Sequence, residues 1–287
     1  MIWVIANRKE EDGSFPTYKY YKQAFDEGKI SIYCADESDH FGFIQRDDTV
    51  IVRTRNQYIN ERLRNAVMAR GFRSTIESSM TDLLTHDKEV LKVVLQEQGI
   101  PHPVTVSLQE IRERLIAKFF IKPRYGENSI GVDEKSGAVR YQDVLSKCLS
   151  LMKQGIEPMV EEFIPGDEVT TVVIDNGRDF NLKIYSAIMK PNTDCGYHTE
   201  DTKQHFDFVP QPYHSEKLDR IVRDTFHAVR ARHILRIDSR IFNGVPYIID
   251  VNMIPGLAPD GYLSKCMEVN GISYYDAIRM MVNAAYQ

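Results

Sequence analysis

Short apolar runs, some alternating and some continuous, punctuate stretches of helical spacing throughout this chain. IWVIAN at the start reads as a strand, TYKYYKQAFDEG as a helix ended by Gly28, and ISIYCAD as a second strand. Thr49 to Thr54 follows as a third strand, and QYINERLRNAVMARG as a helix closing at Gly71. Strands alternating with helices predict a parallel sheet, so residues 1–85 are expected to form a small α/β domain. No G-x-G-x-x-G follows the first strand, and a dinucleotide site there has no support.

Farther along, Val90, Leu91, Val94 and Leu95 predict a helix from Asp87 to Gly99, stopped at Gly99-Ile100-Pro101. FFIKP, Phe119 to Pro123, is a buried strand, and Arg124 to Gly131 is the turn after it. Gln142 to Gln154 is an amphipathic helix expected to bury Val144, Leu145, Cys148, Leu149 and Met152. Met159 to Ile164 reads as a strand, then Pro165-Gly166-Asp167-Glu168 and the long strand VTTVVID. Another strand runs from Phe180 to Met189. Lys190 to Pro210, about 20 residues, shows little regular pattern, as lids and binding loops do. It carries Tyr197, His198, Thr199, Lys203 and His205. Ser215 to His233 is a helix with a core stripe from Leu218 to Val229, and a last helix starts near Ser273-x-x-Asp276, a capping-box pattern, burying Ile278 and Met281.

The most informative stretch is ILRIDSRIF and VPYIIDVNM, joined at Asn243-Gly244. An Asn-Gly pair between two β-rich runs signals a hairpin with a type I′ turn. Pairing brings Asp238 close to Asp250 and Asn252, and the last two leave the same face of their strand. Three oxygen ligands without histidine or cysteine suit a hard cation such as Mg²⁺, or Mn²⁺ in its place. Mg²⁺ held by few protein ligands takes its other oxygens from water and substrate phosphates. The competing reading is a pair of solvated strand-end carboxylates around a turn. Arg53, Arg55 and Asn56 lie just past a strand end, where open α/β sheets bind ligands, and could hold a substrate carboxylate or merely solvate the loop.

Composition narrows the field. The 287 residues allow two or three packed units, and 43% hydrophobic with 27% charged content is ordinary for a globular protein. A net charge of -5, from 36 basic and 41 acidic residues, gives no pull towards nucleic acid or anionic membrane. No apolar run approaches the ~20 residues of a membrane span, and IWVIA lacks the features of a signal peptide. Cys34, Cys148, Cys195 and Cys266 are scattered without metal spacing, so a reduced, cytoplasmic setting is expected.

R-x-D, a hairpin and then D-x-N-x-x-P-G resembles the C-terminal metal-binding signature of the ATP-grasp ligases, closest to the branch containing D-alanine–D-alanine ligase. That family usually has Glu where this chain has Asp250, which keeps the carboxylate one methylene shorter. The resemblance covers about residues 86 to 287. It implies two α+β lobes clasping ATP, residues 86–168 and 169–287, behind an α/β substrate domain, residues 1–85.

It further implies roles residue by residue. Lys88 and Lys122 would reach the ATP phosphates beneath a flexible loop with Ser129 and Gly131 at its small-residue positions. That loop departs from the family at Gly126 and Asn128. Glu161 stands at a hinge position. Glu162 would offer its carbonyl to the adenine amino group, Ile164 its N–H to a ring nitrogen, and Glu168 its carboxylate to the ribose. Asp238, Asp250 and Asn252 would hold metal, and Arg236 would stabilise the transferred phosphate.

The reaction so implied is ATP-dependent ligation through an acyl phosphate, releasing ADP. Where the dipeptide ligase uses a serine, five residues beyond Gly256, this chain has Gly261. Its N-terminal domain also lacks that enzyme's glycine-rich substrate segment. These departures point to a small amino-acid or peptide ligase, or an intramolecular cyclo-ligase, other than a maker of D-alanyl-D-alanine. Lys203, Gly256 and Gly261 join the arginine loop as substrate candidates. A homodimer is compatible with the resemblance. A kinase acting on an alcohol and an inert ATP-binding module are the alternatives, separated by whether ADP release depends on an amine.

Overall fold

The computed structural model describes residues 1–7, 29–54, 56–113, 118–126, 129–175 and 182–286. The predicted helix ending at Gly28, together with Arg55, Asn128 and Phe180, lies outside them.

Strands β1 (Ile2–Asn7), β2 (Ile30–Ala35), β3 (Thr49–Val52) and β4 (Arg73–Ser74) form a parallel sheet in the order β2-β1-β3-β4. All four residues of β3 are buried, the reason Thr49 is followed by a continuous apolar run. Helix α1 (Gln57–Arg70) is capped by the Asn56 side chain and ends at Gly71, whose φ of 69° places it in the left-handed region.

Helices α2 (Ser79–His86) and α3 (Lys88–Glu97) lead to a three-stranded antiparallel sheet of β5 (Phe119–Pro123), β6 (Gly137–Ala138) and β7 (Pro158–Glu162). Helix α4 (Leu108–Glu113) and helix α5 (Tyr141–Lys153) bury Ile111, Val144, Cys148 and Leu151 against it. One expectation fails here. Leu149 and Met152 are 48% and 60% exposed, because the buried stripe runs Val144, Cys148, Leu151 and both are rotated off it.

Five antiparallel strands form the largest sheet: β8 (Asp167–Ile174), β9 (Lys183–Pro191), β10 (Phe208–Pro212), β11 (Ile234–Phe242) and β12 (Val245–Asn252). Their order is β10-β9-β8-β11-β12. The segment expected to be patternless is therefore structured. It continues β9 to Pro191, forms the short helix α6 (Glu200–Gln204), and returns as β10 paired with β9. Pro210 and Pro212 obscured that strand in the sequence, and both are tolerated because β10 is an edge.

Helix α7 (Glu216–Ala228) and α3 cover one face of this sheet, with Leu91, Leu95, Leu218, Val222 and Phe226 packed on Val169, Val173, Leu235 and Ile237. Each fully buried Leu contributes on the order of 2 kcal/mol, so α3 and the lysine at its start are held firmly. Helices α8 (Tyr262–Val269) and α9 (Tyr274–Asn283) cover part of the other face and share a core with Val4 and Ile51, which anchors the N-terminal sheet. Among the described residues, no helix is long and apolar enough to cross a membrane.

Candidate active site

A cavity opens between the three-stranded and five-stranded sheets. Lys88, Lys122, Ser129 and Glu161 line it from one side, and Glu168, Lys203, Asp238 and Asp250 from the other. Glu162 and Ile164, expected at the hinge, line it as well.

The acidic hairpin forms as expected. Asn243 and Gly244 have φ of 50° and 69°, the two positive values a type I′ turn needs. Asp238 pairs with Asp250 and Arg236 with Asn252, so all four side chains emerge from one face. A register shift follows between Asp238 and Ser239, a β-bulge that interrupts the ladder beside the carboxylates before pairing resumes at Ser239 and Ile248. Asp238 accepts from Thr170 Oγ1 at 2.8 Å and from Arg236 at 3.0 Å. Burial raises the Asp250 pKa, but Lys88, Lys122, Lys203 and Arg236 outweigh it and hold the carboxyl below its ordinary value. Asn252 Oδ1 accepts from Ile254 N at 2.9 Å, so any metal it ligates shares that oxygen with the backbone. Among the described residues no group of three His, Cys, Asp or Glu could hold a metal. Two carboxylates and an amide oxygen nevertheless fit a hard cation that completes its shell with water and phosphate.

Lys88 opens α3 because Asp87 caps the helix, accepting from Glu89 N and Val90 N. Arg124 grips the Asp87 carboxylate with two bonds of 2.9 and 2.7 Å, fixing the cap to the turn that follows β5. The Lys88 ammonium donates to Gly126 O at 2.6 Å and lies 4.0 Å from Asp250 Oδ1. Within the loop Ser129 takes φ 54°, and Gly131 N donates to Glu200 Oε2 at 2.8 Å.

Lys122 donates to Ile249 O at 3.0 Å and pairs with Glu161 at 2.8 Å. The same carboxylate meets a residue that sequence reasoning missed, Lys92, at 3.2 Å. All three are buried. Burial lowers the Lys92 pKa to about 8, with Glu161 offsetting part of the shift. Burial raises that of Glu161, and the two lysines overcome it.

At the hinge end, Glu168 is buried, and His198, Lys203, Arg240 and Arg236 overcome that burial to keep its pKa low. His198 bonds Met189 O through Nε2 and Tyr262 Oη through Nδ1. Thr199 caps α6, which presents Lys203 to the cavity. Arg240, also missed from sequence, lines the cavity beside Phe163.

Arg236 and Asn252 lie next to Asp238 and Asp250 in the hairpin but are not among the residues that line this cavity. The substrate candidates of the N-terminal domain and of the loop after β12 do not line it either. Arg53 donates to Pro255 O at 2.9 Å, which ties the first domain to the loop after β12. Asn56 caps α1 and donates to Glu37 Oε1 at 3.0 Å. Gly256 lies in the loop after β12, and Gly261 precedes α8 as its N-cap.

Two sheets facing across a cleft, lysines under a small-residue loop, a hinge and an acidic hairpin define an ATP-grasp protein. A family model described as D-ala D-ala ligase C-terminus matches residues 89–283. The chain belongs to that family. D-alanine–D-alanine ligase A of Bacillus cereus is 22% identical over 206 residues, 69% of this chain and 67% of that protein. The D-alanine–D-alanine ligase of Ralstonia nicotianae is 26% identical over 230 residues, 75% of this chain and 68% of the other. These matches span about two thirds of each relative. The ATP-complexed D-alanine–D-alanine ligase of Bacillus anthracis superposes with TM-score 0.73 at 16% identity, covering 99% of this chain and 97% of its own. The VanG D-Ala:D-Ser ligase of Enterococcus faecalis gives 0.72 at 17%, covering 99% and 98%.

Proposed function

We propose that this protein is an ADP-forming carboxylate–amine ligase acting on small amino-acid or peptide substrates. The observation that carries the reading is Asp238 and Asp250 facing Lys88 and Lys122 across one cavity. Residues 1–85 serve as the substrate domain, 86–168 as the lobe with phosphate loop and hinge, and 169–287 as the metal-bearing lobe, except that β8 starts at Asp167, so residues 167 and 168 belong to the sheet of the last lobe.

The hinge and Glu168 hold adenosine, while Lys88, Lys122 and the Ser129 loop orient the triphosphate. The substrate carboxylate attacks the γ-phosphorus, the bond to the β-γ bridging oxygen breaks, and ADP leaves. Arg236, beside Asp238, takes up charge on the transferred phosphoryl group. The amine then attacks the acyl carbon and expels phosphate. Mg²⁺ held by Asp238, Asp250 and Asn252 would neutralise phosphate oxygens.

Family membership favours a ligase over a kinase or an inert module. Phosphate release from Mg-ATP across amino-acid pairs, D-alanine among them, tests it. Turnover that requires both a carboxylate and an amine is expected. ADP formation indifferent to amine would return the kinase reading.

A further inference from the structure

Arg240 lines the cavity, yet none of the chemistry above uses it. Its place follows from strand register. Arg240 on β11 pairs with Glu168 on β8, which brings both to the hinge end. Its side chain is 8% exposed. One guanidinium nitrogen donates to the carbonyls of Gly166 and Gly196, the latter at 2.8 Å. Another lies 3.9 Å from Glu168 Oε2, and the group sits 4.9 Å from the Phe163 ring centroid. Nε has no hydrogen-bond partner among the described residues.

These contacts join three pieces of the site. Gly166 belongs to the turn between β7 and β8, pressed so closely on β11 that a Cβ would collide with the Ile241 carbonyl. Gly196 begins the stretch whose Tyr197 hydroxyl donates to Glu134 O at 2.8 Å, and whose Glu200 N donates to Val132 O at 2.8 Å. One buried fork therefore ties the hinge turn, Glu168 and the segment bonded to the phosphate loop. Burying a guanidinium is costly, and a packed apolar side chain would stabilise the fold at least as well. The geometry towards Glu168 accounts for a cation here. At 3.9 Å the guanidinium is too far for a hydrogen bond, so it favours the ionised carboxylate while leaving its lone pairs to other donors.

We propose that Arg240 is a positioning residue that holds Glu168 for the ribose hydroxyls of the nucleotide and fastens the Gly196 turn beside them. The proposal rests on the reading of Glu168 as the ribose acceptor. Calorimetric binding of Mg-ADP and Mg-2′-deoxy-ADP to the full chain tests it, with the fold of each variant checked by its thermal transition. The wild type is expected to prefer ADP about ten-fold, the worth of a hydrogen bond to a charged group. In Arg240→Met that preference should fall towards one, a change that loss of packing alone would not bring about. Should Arg240→Met fail to fold, Arg240→Lys carries the same test: it keeps the charge but lacks the fork, and its preference should fall at least three-fold. A wild-type ratio near one removes the ribose role of Glu168 and this proposal with it. A wild-type preference that survives in a folded Arg240 variant overturns the role of Arg240 alone.

Discussion

Lys92 Nζ lies 3.2 Å from Glu161 Oε1, inside a site where both groups are all but excluded from solvent. The other oxygen of that carboxylate holds Lys122 at 2.8 Å. One glutamate thus balances two ammonium groups, of which only Lys122 lines the cavity.

Replacing Lys92 by Met should cost about 3 kcal/mol of stability, because breaking a buried pair leaves its partner under-compensated. Urea unfolding at neutral pH measures it. A loss below about 1 kcal/mol would mean that Lys122 alone satisfies Glu161.

The same substitution should move the acid limb of the stability curve. The two lysines hold the folded-state pKa of Glu161 below its ordinary value of 4.5, against the upward push of burial. A depressed carboxyl stabilises fully above its unfolded pKa, and that contribution is lost as pH falls through the folded value. With one lysine gone the folded value rises, so the Lys92→Met protein should begin to lose stability at higher pH on acidification. Unfolding midpoints between pH 3 and 6 should show the shift, and parallel limbs for the two proteins would contradict it.

Glu168→Gln should raise KM for ATP about ten-fold with little change in kcat, as expected for a lost hydrogen bond to a charged acceptor. Steady-state kinetics with ATP varied would decide. A collapse of kcat at saturating ATP would place Glu168 in the chemistry itself.

Asp250→Asn should lower kcat at least 100-fold while moving the thermal midpoint by only a few degrees. The amide keeps the shape but removes the charge that faces Lys88 and a bridging cation. Near-wild-type turnover would make the hairpin carboxylates structural.

Local chemistry explains which of these residues could be read from the sequence. Asn243-Gly244 and the alternation around it dictate turn, register and shared face, so Asp238, Asp250 and Asn252 were legible together, and the R-x-D resemblance added Arg236. Lys88 was legible only through the resemblance, because a lone lysine at a helix start otherwise reads as a solvated charge. Lys92 and Arg240 were not, because an isolated cation in an amphipathic helix or alternating strand reads as a solvated face. Their partners, Glu161 for one and Gly166 with Gly196 for the other, are distant in sequence. The same limit applies to Lys147, buried on α5 against Asp133 at 2.9 Å. The segment around α6 was illegible for another reason: prolines on an edge strand erase the alternation that marks a strand.

The central claim is that the cavity transfers the γ-phosphate to a carboxylate before an amine attacks. It is tested most directly with ¹⁸O in the carboxylate of the amino acid that supports phosphate release. One labelled oxygen should appear in inorganic phosphate, because the attacking carboxylate oxygen departs with it. Label in AMP with release of pyrophosphate, or phosphate retained on an alcohol, would contradict the account and the roles given to Lys122, Arg236 and Asp250.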